Sequence, residues 1–235
     1  MKVSLNEIQA TAQKAVSGAG HPYGIAEEMG FAARWLCQHG LRGAEKLLHA
    51  LERHTAANCR IDQDGGSIRV QGGDDQTLSA LDTGVSMIEL LIAHKSSKKS
   101  VVAASIAHPL LAIPFAARAA AQNDSICLSW TTIDHSEVAA EFNDAGVTVR
   151  AFDPFTLIQA RGDNVTCQWG AYQQDVPVLY SNDYLNAQSR TSIADGCSVD
   201  EQVWKKLVAL AHRTYVPISD QSRLTGAGAG LNDND

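Results

Sequence analysis

The 235-residue sequence has no long hydrophobic run, no Cys-x-x-Cys pair and no extended basic tract, and each absence excludes a class of function. Its most apolar stretch, residues 101–117, is interrupted by Ser105, His108, Pro109 and Pro114. A membrane-crossing helix needs about 20 predominantly apolar residues, so this stretch reads as a buried strand, a turn and a helix. No apolar run follows Met1 to Glu7, so no secretory signal is expected. The cysteines, Cys37, Cys59, Cys127, Cys167 and Cys197, are odd in number and widely spaced. A disulfide framework or a structural zinc site looks different, and the expectation is reduced, mostly buried thiols in a cytoplasmic protein without a metal. Lys95, Lys98 and Lys99 form the one dense basic group in a chain of net charge −7. Nucleic acid needs a clustered basic surface, so it is not an expected partner.

What is present is ordinary globular composition, 45% apolar, at a length that can bury a real core. Three amphipathic helices are read in the first third. Leu5, Ile8, Ala12, Ala15 and Val16 follow helical spacing behind the capping box Ser4-x-x-Glu7. A second stripe holds Ile25, Met29, Ala32, Ala33 and Leu36 and stops at Gly40; a third holds Ala44, Leu47, Leu48 and Leu51. Residues 1–57 therefore read as a helical layer. Residues 58–76, rich in Gly and Asp, read as a loop with one short strand at Ile68 to Val70. Residues 77–235 read as an α/β core with a C-terminal tail, the whole making one compact domain.

Within that core, helix stripes at Leu81, Val85, Ile88, Ile92 and at Ile113, Ala116, Ala117, Ala120 alternate with apolar strands at Val101 to Ala104 and Ile126 to Trp130. Pro109 and Pro114 fit before the second of these helices or in its first turn. Beyond Gly146 the pattern turns to strand at Val147 to Ala151, Phe155 to Ala160 and Val165 to Trp169, with Arg161-Gly-Asp-Asn164 as a hairpin turn. A last helix runs from Ser198 to His212 behind a second capping box, Ser198-x-x-Glu201. The fold class is thus α/β: a helical layer, a small mixed sheet with crossover helices, and a β-rich second half closed by one helix.

His108 is the leading candidate for chemistry, because it lies at the end of an apolar strand, where α/β proteins bind ligands. An imidazole there can polarise a carbonyl or move a proton near neutral pH, or it can be a buried histidine bonded to backbone. Ser105 lies three residues before it. Asp134-His-Ser-Glu137 has the parts of an acid–base site, but reads rather as a helix start with Ser136 as its cap. His49 and His54, five apart on one helix, have the wrong spacing for two ligands and read as surface residues. Arg42 is an anion contact or a surface residue beside a helix-start Gly43. In the tail, Gly226, Gly228 and Gly230 alternate with alanine and offer N–H donors to an anion, with Asp233 and Arg223 nearby.

Two stretches resemble the type-2 malate/L-lactate (sulfolactate) dehydrogenases. His39-Gly-Leu-Arg-Gly-Ala-Glu-Lys-Leu-Leu-His-Ala-Leu51 is similar to that family's Asp-Leu-Arg-Gly-x-x-Ser-His-Gly segment. Ala107-His-Pro-Leu-Leu-Ala-Ile-Pro-Phe-Ala-Ala-Arg-Ala-Ala120 is similar, without gaps, to Asn-His-Phe-Gly-Ala-Ala-Gly-Tyr-Tyr-Ala-x-Arg-Ala-Ala. Asp153-Pro-Phe-Thr-Leu-Ile158 resembles the family's Thr-Asn-Pro strand start. The resemblance spans roughly residues 4–160 and places His108 on the family's catalytic acid. It implies a 2-oxo or 2-hydroxy acid as ligand and NAD or NADP as cofactor. Where the family has Ser-His-Gly, this chain reads Lys46-Leu47-Leu48, and its length falls short of the whole enzyme. As a whole the sequence is similar to a bacterial family of unknown function and similar length, with a like Gly-Ala and Asp-Asn-Asp tail.

The resulting expectation is a dehydrogenase-like scaffold with a ligand cleft at His108 and nicotinamide chemistry lost or altered. Arg42, Ser105, Arg118 and Arg223 are the expected ligand contacts, and Gly226, Gly228, Gly230 and Asp233 a tail site. A small anionic metabolite and a second copy of the chain, as a homodimer, are the expected partners, with no membrane. The alternatives are an active NAD(P)-dependent oxidoreductase and a non-enzymatic assembly protein.

Overall fold

The computed structural model of the protein describes residues 1–54, 58–73, 76–121 and 124–215. The Ser4 hydroxyl accepts the N–H of Glu7 at 3.2 Å and opens α1 (Leu5–Gly18), which buries the apolar stripe read from the sequence. Helix α2 (Tyr23–Gln38) buries Met29, Ala32, Ala33 and Leu36. Helix α3 (Gly43–Glu52) starts at a glycine because a Cβ on Gly43 would lie 2.2 Å from the Ala33 carbonyl oxygen, inside the body of α2.

Strand β5 (Ser100–Ala107) organises the sheet. It runs parallel to β3 (Ser67–Gly72) and β4 (Leu78–Ser79) and antiparallel to β9 (Arg161–Trp169). Beyond β9 follow β6 (Ile126–Thr131), β7 (Glu137–Asn143), β8 (Gly146–Arg150) and β10 (Val178–Tyr180), all antiparallel, and β2 (Cys59–Asp64) forms the other edge against β3. Val101, Ala103, Leu128, Val138, Ala140, Val165 and Cys167 are buried in the core. Their alternates Val102, Ala104, Ser129, Asn164 and Thr166 are partly or fully exposed, the pattern of a sheet covered mainly on one side.

Helices α4 (Ala80–Ala93) and α5 (Ile113–Ala120) pack against the sheet, and α2 packs on both; α1 and α8 (Glu201–His212) lie together beyond α2. Helix α7 (Asn182–Asp195) rests on α2 and β8. A two-stranded ribbon of β1 (Lys2–Val3) and β11 (Cys197–Ser198) ties the first residues to the start of α8. The fold is α/β as read, and no helix among the described residues is long and apolar enough to cross a membrane. All five cysteines are free, four of them buried and Cys59 exposed.

Five local readings are corrected. Residues 58–73 hold a full hairpin, β2 and β3, instead of one short strand. Asp134 to Glu137 is the turn of the β6–β7 hairpin, not a helix start; Thr132 closes it by donating both its N–H and its hydroxyl to the Ser136 carbonyl. The stretch from Phe155 is not a strand but ends a short helix, α6 (Pro154–Leu157), capped by the Asp153 carboxylate on the N–H of Thr156. Arg161 to Asn164 is not a turn; it lies in β9, where Gly162 is needed because Trp130 and Pro109 close over it. The cap of α8 is Asp200, not Ser198, its carboxylate accepting the N–H groups of Gln202 and Val203.

A Cβ on Gly162 would meet Trp130 at 2.7 Å and Pro109 at 2.9 Å. Gly162→Ala is therefore expected to lower stability by about 1–3 kcal/mol. A urea-unfolding midpoint equal to that of the parent chain would contradict this packing.

Candidate functional site

His108 ends β5 with left-handed backbone angles, φ 57° and ψ 52°. Such angles are uncommon away from glycine, though histidine tolerates them better than most residues. Its N–H donates to the Ala160 carbonyl at 2.7 Å, and its own carbonyl accepts the N–H of Leu111 at 3.0 Å. Pro109 then opens a short 3-10 turn, Pro109–Ala112, that leads into α5. These constraints fix an imidazole that is only 3% exposed. Its Nδ1 has no hydrogen-bond partner. A buried polar atom left unpaired costs about 1–3 kcal/mol, a cost that a bound ligand can remove. Trp130, which crowds Gly162 together with Pro109, also has a buried indole N–H without a partner.

Helix α3 supplies the charge. Arg42, Lys46, His49 and Arg53 recur at intervals of four, three and four, which places them along one face of a helix. Arg42 caps the helix in the left-handed conformation, φ 52°, at the end where the helix dipole disfavours a cation. Lys46, in the middle of the row, is 7% exposed, and its ammonium donates to the Ile158 carbonyl at 2.5 Å. Asp153, by capping α6, sets the course of the chain from Ile158 to Ala160, whose carbonyls meet Lys46 and His108 in turn. The rings of His49 and His108 lie 6.5 Å apart.

Burial pushes the His108 pKa down to about 4, and the charges of Lys46, His49 and Arg53 push it the same way. Burial also lowers Lys46, assisted by Arg42 and opposed by Glu45. At neutral pH, then, a neutral imidazole sits in a positive field. It can donate through one nitrogen and accept through the other. An anion placed there would offset the field and raise the imidazole pKa toward the range useful for proton transfer.

The structure gathers some of the sequence candidates and leaves others apart. Arg42 lies on the basic row of α3 and adds its charge to Lys46. Ser105 is buried on β5, its hydroxyl 3.3 Å from that of Thr77. Arg118 pairs with Glu28 at 2.8 Å and lies over Phe31 and Phe115, so its contacts lead away from His108. Arg223, Gly226, Gly228, Gly230 and Asp233 lie outside the described residues. Lys46, His49, Arg53 and Trp130 were not singled out as site residues from the sequence. The signal for the first three was the spacing of basic residues along α3.

The depressed pKa has a consequence for stability. Below the ordinary value of 6.5, the unfolded chain takes up the His108 proton before the folded one, which holds off to about 4. The stability carried by the neutral imidazole is complete above the unfolded pKa and is lost as pH falls through this window, in total about 3 kcal/mol. His108→Asn, which suits left-handed backbone, should remove most of that loss. Chemical unfolding at about pH 7 and about pH 4.5 measures it; the same pH dependence in both proteins would contradict the burial of a neutral imidazole.

Residues 3–96 match a family described as "Protein of unknown function (DUF3726)", and no curated protein matches the chain. Among solved structures, a dehydrogenase from Sinorhizobium meliloti aligns at 11% identity with a TM-score of 0.64, over 90% of this chain and 99% of that one. The sulfolactate dehydrogenase of Methanocaldococcus jannaschii aligns at 9% identity and 0.63, over 90% and 97%. The malate dehydrogenase of Pyrococcus horikoshii aligns at 9% identity and 0.59, over 91% and 95%. The structural likeness runs through about nine-tenths of this chain and nearly all of each of the others, further than the sequence resemblance over residues 4–160. The protein is built on the scaffold of the malate and sulfolactate dehydrogenases, and its first 96 residues include the match to a family of unknown function.

Proposed function

We propose that the protein binds a small anionic acid of the 2-oxo or 2-hydroxy class at His108, with nicotinamide chemistry lost or altered. The observation that carries this reading is the unpartnered Nδ1 of His108, buried at the end of β5 and facing the charge of Lys46, His49 and Arg53. An acid of this class has the two features such a site needs. Its carboxylate offsets the positive row, and its carbonyl or hydroxyl oxygen pairs with the imidazole. The dehydrogenase scaffold, and two relatives named for malate and sulfolactate, support the same class of ligand.

Lys46 supports the second half of the reading. It stands where the resembling family has the serine of Ser-His-Gly, and Leu47 and Leu48, both buried, replace the other two positions. An ammonium in place of a hydroxyl strengthens the hold on an anion and alters the groups available around its carbonyl. A nicotinamide would supply a hydride if bound. The residues around His108 fit the acid and have no feature specific to a dinucleotide, so no step is assigned to one.

Calorimetric titration of L-malate, L-lactate, sulfolactate and their 2-oxo forms tests this reading. At least one should bind saturably, and His108→Ala and Lys46→Ala should each weaken binding by about tenfold or more. No saturable binding, or binding unchanged in both variants, would overturn it. Oxidation of NADH or NADPH dependent on a 2-oxo acid would replace it with an active oxidoreductase.

A further inference from the structure

Away from His108, three side chains distant in sequence converge: His21 between α1 and α2, His54 just past the end of α3, and Asp82 in the first turn of α4. One ligand-type atom from each lies within 4.8 Å of the others. His54 Nε2 is 2.7 Å from Asp82 Oδ2, and the rings of His21 and His54 meet edge to face with centroids 4.5 Å apart. His21 and His54 are partly buried and the Asp82 carboxylate is open to solvent, so the cluster is reachable from outside.

We propose that His21, His54 and Asp82 bind one divalent transition-metal ion, with Zn2+ as the reference ion. An Asp82–His54 ion pair explains two of the three residues; it does not explain a second imidazole brought against the first. An ion held between them would accept a lone pair from each ring and from the carboxylate. Two imidazoles and one carboxylate favour zinc, cobalt or nickel over magnesium or calcium, which prefer an all-oxygen shell.

The backbone at each corner is fixed before any ion arrives. The N–H of His21 donates to the Val16 carbonyl at 3.3 Å, and Pro22 follows it as the cap of α2. Asp82 rides on a helix whose cap, Ser79, accepts the N–H of Leu81. Three protein donors leave coordination positions for water or a small ligand. Asp82 also lines a mainly apolar cleft of about 250 Å³ with Val70, Leu78, Ser79, Thr83 and Leu90. Neither His21 nor Asp82 is among the groups that act on His108, so the metal site stands independently of the acid site.

Zn2+ titration of the full, chelator-treated chain against a competing chelator tests the proposal. The parent should bind one ion per chain, and His21→Ala, His54→Ala and Asp82→Asn should each weaken it by about tenfold or more. His212→Ala, on α8, should leave it unchanged. Addition of Co2+ to the parent protein gives a readout free of any folding defect in the variants: the imidazole NMR signals of His21 and His54 should broaden first, those of His135 and His212 later. Absence of saturable binding, indifference to all three substitutions, or first broadening elsewhere would each overturn it.

Discussion

The N–H of His108 donates to the carbonyl of Ala160 at 2.7 Å, and the arrangement of the site depends on this bond. It fastens the end of β5 to the segment that leads into β9, at the point where α3 arrives from the helical layer. Because the bond holds His108 in a left-handed turn, the chain can pass directly into Pro109 and α5, and the imidazole stays inside. Because the segment from Ile158 to Ala160 is held there, the Ile158 carbonyl is available to the buried ammonium of Lys46. Strand, turn and helix thus meet at one buried polar junction, and the glycine of β9 that lies under Pro109 keeps the approach close.

The helical layer was legible because each of its elements buries a face against one neighbouring layer, and that burial writes a 3.6-residue period into the sequence. β5 was legible as a continuous apolar run, and the prolines of its following turn fell where they do no harm. The elements that were missed were hidden for physical reasons. Helix α7 buries only Leu185 and Ser192, so it leaves almost no stripe to read. β7 is built around Ala139 and Ala140, residues with little strand preference, and is a strand because β6 and β8 flank it. β2, Cys-Arg-Ile-Asp-Gln-Asp, is an edge strand with exposed residues along its length. In β9 the turn-like residues Arg161 to Asn164 are overridden by packing, which needs Gly162 for space rather than for a turn.

The site was legible only at its centre. His108 was marked by its place at a strand end and by the ungapped resemblance around it. Its partners were not, because they come from α3, more than fifty residues earlier in sequence, and contact order of that kind leaves no local trace. Lys46 first stood out as a departure from a known pattern; in the structure that departure is the buried cation nearest in kind to what an acid ligand requires. His49, exposed as read, lies with its ring 6.5 Å from that of His108, and the half-buried His54 meets His21 and Asp82. Five residues of wrong spacing for one site are a suitable spacing for two.

The proposed acid site rests on His108 being held as a neutral imidazole in a positive field that an acid would relieve. The most direct measurement is an NMR pH titration of the His108 ring, free and with the best-bound 2-oxo or 2-hydroxy acid. The expected result is a free His108 pKa of about 4 that rises on binding. A free His108 that titrates near the ordinary histidine value, or one whose pKa the acid does not move, would contradict it.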